Sequence, residues 1–203
     1  MASASASSQG LLPRSDFSAP VPLGTDPIPL KALERVVTTV TKDWVPPAPR
    51  TTPEIVVRGD TLAQVAVELN ALPEWGRAGG SLRTDPVPVG TTPSVTIKVH
   101  ANLIKVLPRW TKYDKASAPA KAEWDRMFAK LRAHEDRHME IAIEEADNLA
   151  TALMGVEIGE IATLVTAANQ TMQTRQDQLD TDSDHGAKAS VPFGDVTLDV
   201  TIV

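Results

Sequence analysis

Changes in the rhythm of apolar and polar residues divide the chain. EIVVRG reads as a short strand, and DTLAQVAVELN, opened by Asp60 as its cap, reads as an amphipathic helix. A Gly/Pro-rich stretch, GRAGGSLRTDPVPVGTTP, then predicts a break. Beyond it, SVTIKVHANLIKVLPRW alternates through Val95, Ile97 and Val99, and again at Leu103 and Val106, as paired strands do. From Pro119 the period becomes helical: Ser117 can cap, Pro119 suits the first turn, and no Gly or Pro intervenes before Gly155. Residues 157–180 form a second helical stretch, and DVTLDVTIV at 195–203 returns to period two as a last strand. The expected fold is α+β, a small sheet packed against two long helices.

Nine of the 16 prolines fall before position 54. Each removes a donor and restricts its predecessor, so residues 1–29 read as a Pro/Ser/Ala-rich mobile or surface-draped tail. Residues 30–52 form a docking segment or linker, within which 30–44 suits a short helix or a strand. The compact domain spans 53–203.

The chain has 203 residues, 42% hydrophobic and 23% charged, the balance of an ordinary globular protein. A net charge of −6 argues against a nucleic-acid groove, which needs clustered positive charge. No apolar run approaches the roughly 18 residues of a membrane span. MASASASSQGLLPRSDF shows no secretory signal peptide. Without cysteine, thiolate metal sites, disulfides and cysteine nucleophiles are excluded.

The chemistry concentrates in LRAHEDRHMEIA, within the first long helix. His134 and His138 lie four residues apart, so their imidazoles share one face and can converge on one cation. Glu135 stands about 100° round the helix, within reach of a water at that cation. Met127, Leu131, His134, His138, Ile141, Leu149 and Ala152 share one stripe, which turns both histidines toward the core. This HExxH pattern suits zinc, which takes neutral imidazoles at roughly 2.0–2.1 Å.

A third ligand has to be His, Asp or Glu. His185 is the better candidate, because a second helix antiparallel to the first returns its end past the HExxH turn. His100 reads as a packing or surface histidine. Glu145 lies about 10 Å beyond His138 along the axis, too far for the same ion. Glu157 and Glu160 have only loosely the spacing of a returning-helix ligand. Glu145 and Asp180 are candidate acceptors for the ligand histidines' N–H groups. For stabilising an oxyanion the candidates are Tyr113, Arg109, Arg132 and Arg137, and the cleft loops are expected at 76–94 and 111–118.

The segments EIVVRGDT, LPRW at 107–110, EWDRMFAKLRAHEDRH and LDTDSDHG occur in the order found in a bacterial family of predicted secreted zinc-dependent proteases. The chain resembles that family over about residues 53–187. In the closing segment Asp180, His185 and Gly186 match, Ser183 replaces a threonine, and Leu179 stands at a tyrosine position. The resemblance implies a zincin-like arrangement, zinc at His134 and His138, a catalytic Glu135, His185 as third ligand, and a secreted or periplasmic location.

Together these readings predict a Zn2+-dependent endopeptidase acting on a peptide or protein substrate, with Glu135 as general base. The rival expectation is a non-catalytic zinc-containing module, or cargo of a larger secretion assembly engaged through the N-terminal tail.

Overall fold

The computed structural model describes residues 36–45, 55–87, 94–188 and 194–203. In chain order these form β1 (Val36–Val45), β2 (Ile55–Val57), α1 (Leu62–Asn70), β3 (Arg77–Val87), β4 (Ser94–Val106), β5 (Pro108–Trp110), α2 (Ala118–Ala152) and α3 (Ile161–Ser183). The expected tail at 1–29 and the boundary at Pro53 lie outside the described residues.

The alternation at 94–106 makes one long strand rather than a pair. β4 buries Val95, Ile97, Val99, Ala101 and Leu103 on one face. It carries β1 in parallel on one side and β3 antiparallel on the other. β1 arises from the segment read as a docking element. β5 pairs instead with β2, in a separate parallel ribbon. Among the described residues the architecture is therefore α+β, with a small mixed sheet and three α-helices.

The stretch expected to break the chain is β3. Gly79, Gly80 and Pro86 are poor strand formers, which hid it. An edge strand tolerates them, and at Gly80 the missing side chain serves packing. A Cβ there would lie 3.3 Å from Ala142 Cβ and 3.1 Å from the Asn102 carbonyl, so α2 rests closely on the sheet.

α2 runs for 35 residues, about 50 Å, and joins two apolar clusters. Ser117 caps it as expected, accepting from the Ala120 N–H. Its first half packs Trp124, Met127 and Leu131 with α1 and Trp110. Its second half packs Ile141, Ala142, Ala146 and Leu149 on the β4 face, where Met172 of α3 joins them. Ala152, expected on the buried stripe, is exposed. At α1 the cap is Thr61 rather than Asp60: its hydroxyl accepts from the Gln64 N–H, and the Gln64 side chain accepts from the Thr61 N–H.

The last strand expected from sequence does not form. Residues 194–203 belong to no ladder. They lie as a strap whose Val196, Leu198 and Ile202 join the first-half cluster of α2. Side chains satisfy much of the strap's backbone: Glu123 accepts from the Asp199 N–H at 2.7 Å, and Arg126 donates to the Thr197 carbonyl at 2.7 Å. Glu123 and Arg126 also pair bidentately, each contact 2.8 Å.

That ion pair holds the Glu123 carboxyl below its ordinary pKa, first through the Arg126 hydrogen bonds. A depressed carboxylate contributes stability above its unfolded pKa and loses it as pH falls through the folded value. Glu123→Ala should therefore cost about 1–3 kcal/mol near neutrality, read by urea unfolding. The gap from the unaltered chain should narrow under acid conditions. A constant gap would place the cost in packing alone.

Candidate metal centre

The HExxH turn sits midway along α2, between the two apolar clusters, where the helix borders a cleft of about 510 Å³. His134 and His138 are buried, and their Nε2 atoms approach to 3.2 Å. α3 returns along the helix and brings in Asp180. Its Oδ1 lies 3.2 Å from His134 Nε2 and 3.0 Å from His138 Nε2. Three donor atoms from two helices thus meet at nearly equal spacing, a group that could hold a metal ion.

Ligand bonds near 2.0–2.1 Å impose donor separations of about 3.0–3.4 Å around a small divalent cation. The observed triangle falls in that range. Burial alone would raise the pKa of Asp180, but hydrogen bonds to the two histidines outweigh it and hold the carboxyl far below the usual range. At neutral pH the group is therefore ionised, the form in which a carboxylate can bind a cation. Burial opposes charging of His138, yet Asp180 beside it draws its pKa upward on balance.

Asp180, expected to accept from an outer histidine nitrogen, instead approaches the two facing Nε2 atoms and completes the group that could hold a metal ion. Glu145 does not serve as such an acceptor either: it is buried and paired with Arg175, which also holds Glu144. The Nδ1 atoms of His134 and His138 have no hydrogen-bond partner among the described residues.

His185 lines the same cleft, with its Nδ1 3.9 Å from Asp180 Oδ1 and its side chain 75% exposed. The turn that carries it is left-handed at three successive residues: Asp184 (φ 53°), His185 (φ 52°) and Gly186 (φ 88°). Ser183, fully buried, locks this turn by donating to the Leu179 carbonyl and accepting from the Gly186 N–H. Gly186 needs its missing side chain as well. A Cβ would meet Val196 Cγ2 at 2.8 Å and His134 Cγ at 3.5 Å. The strap also touches the centre here, since the Val196 N–H donates to the Gly186 carbonyl at 2.7 Å.

Glu135 is buried on the cleft wall, and burial pushes its pKa up to about 7. Its carboxylate lies against Gly76, where a Cβ would come within 2.7 Å of Glu135 Oε1 and 3.0 Å of Leu131 Cδ1. The segment Leu72–Ala78 also lines the cleft, so the beginning of the expected 76–94 loop reaches it. The 111–118 loop does not line it. Tyr113 donates to Asp125, Arg132 covers the Phe128 ring, and Arg137 pairs with Glu140 and Glu144. Arg109 is exposed on β5, and it too is outside the lining.

His100 is buried on β4 between Asp43 and Asp85 of the flanking strands, as a packing histidine. Glu157 bridges to Val36 and Glu160 precedes α3, at the helix end away from Asp180. Leu179 packs against the sheet and helix core. Sequence reasoning missed Trp75 and Gln176 on the cleft wall. The only signal for Gln176 is its helical spacing of four from Asp180.

The profile of the family described as "Bacterial protein of unknown function (DUF922)" matches residues 55–186. The chain belongs to DUF922. The matched span runs from β2 to Gly186 and includes His134, His138, Asp180, Glu135 and His185. β1 and the strap fall outside the DUF922 match, although β1 pairs with β4 and Val196 lines the cleft. No curated protein and no solved structure matches the chain. Among the described residues, no helix is long and apolar enough to cross a membrane.

Proposed function

We propose that this DUF922 chain is a zinc-dependent endopeptidase of zincin-like arrangement, with Glu135 as its general base. The observation that carries this reading is a buried, cleft-facing Glu135 beside a convergent His134–His138–Asp180 group. Two imidazoles and one carboxylate are a donor set used by catalytic zinc. The three ligands come from two rigid helices, which suits a preorganised centre.

Zinc held by His134, His138 and Asp180 would supply Lewis acidity toward a scissile carbonyl. Glu135 takes a proton from the attacking water and returns it to the leaving amine. The apolar clusters on either side of the HExxH turn hold α2 and so position the Glu135 side chain for this transfer. His185 stands at the rim, close enough to Asp180 to join the ligand set or to contact the substrate, and His185→Ala distinguishes the two. A secreted or periplasmic location is part of the same proposal and rests on the family resemblance.

Gly76 supplies a test separate from the ligands. Gly76→Ala should displace the Glu135 carboxylate, leave bound metal unchanged and lower kcat about ten- to a hundredfold. The assay is mass-spectrometric cleavage of a mixed peptide library by the metal-replenished chain. Full activity in Gly76→Ala would show that Glu135 needs no such seat. A wild-type chain that binds zinc but cleaves nothing in the library would favour the rival, non-catalytic module.

A further inference from the structure

α3 lies along the outer edge of β3 and uses side-chain amides to cover it. Asn169 accepts from the Leu82 N–H at 3.0 Å and donates to the Leu82 carbonyl at 2.9 Å, as a neighbouring strand would. Two helical turns later Gln176 sits over Gly79, where the edge emerges into the cleft. Gln176 is buried at 9% exposure, yet its Nε2 has no hydrogen-bond partner among the described residues. A buried amide donor left unpaired destabilises the fold, so its retention in a ligand cleft calls for an incoming acceptor.

The seat is built for this amide. Gly79 has φ +147°, and a Cβ there would lie 2.9 Å from Gln176 Oε1. Gln176 also precedes Asp180 by one helical turn, which puts the two side chains on one face, about 5–6 Å apart at Cβ. Gln173 and Asp184 continue that face along the cleft.

We infer that the Gln176 carboxamide donates a hydrogen bond to a carbonyl oxygen of a peptide in the cleft, holding that peptide against the His134–His138–Asp180 group. This inference rests on the peptidase reading and gives it a substrate-binding residue. None of Tyr113, Arg109, Arg132 and Arg137 lines the cleft to fill that place.

The test uses the full, zinc-replenished chain and a set of acetyl-dipeptide hydroxamates bearing Ala, Leu, Phe, Lys or Glu beside the chelating group. The hydroxamate anchors the probe without turnover. In uniformly labelled wild-type protein, the Gln176 side-chain amide signals should move downfield and exchange more slowly when a probe binds. In Gln176→Met, Kd for that probe should rise about tenfold, with metal content unchanged and Tm no lower than in the wild type. Binding that leaves the Gln176 signals unmoved and Kd the same in both proteins would overturn this inference alone. If no probe binds the metal-loaded wild type, the peptidase reading falls and this inference falls with it.

Discussion

Glu135→Gln is expected to reduce peptide cleavage by about 10²–10⁴-fold while leaving zinc bound. The amide has the shape of the carboxylate, so it fits the same space against Gly76. It cannot accept the water's proton. His134 and His138 keep their positions because they are held by α2, whose apolar contacts on both sides of the turn are untouched. The decisive comparison is kcat for wild type and variant at equal metal occupancy. Cleavage unchanged in Glu135→Gln would remove Glu135 from the chemistry.

The second large effect concerns the ligands. Asp180→Ala removes one of three donor atoms spaced 3.0–3.2 Å apart, and zinc affinity should fall at least about a hundredfold. Asp180→Asn keeps the shape but loses the charge, and should fall between the two. His185→Ala should weaken zinc by less than about tenfold, because its imidazole is 75% exposed and stands outside the close triangle. Competition against a chromogenic chelator ranks the four proteins. A hundredfold loss in His185→Ala, with Asp180→Ala near wild type, would exchange their roles.

Much of α2 was legible because several signals agree there: a serine cap, proline in the first turn, and an uninterrupted apolar stripe carrying His134 and His138. The same local consistency made β2 and α1 readable, apart from the cap shifting from Asp60 to Thr61. β3 was hidden because Gly79, Gly80 and Pro86 carry turn chemistry, and only the approach of α2 and α3 explains the two glycines. The segment 195–203 alternates like a strand, but its backbone bonds go to Glu123, Arg126 and Gly186, and no local pattern encodes those partners. Asp180 and Gln176 sit in a polar helix with weak periodicity. Their importance comes from where α3 crosses α2, which is a tertiary fact.

The most direct measurement is elemental mass spectrometry of the full chain after zinc replenishment and dialysis, with His134→Ala/His138→Ala alongside. The account predicts close to one zinc per folded wild-type chain and almost none in the double variant. A folded wild-type chain that retains no metal, or that selects iron over zinc, would contradict it.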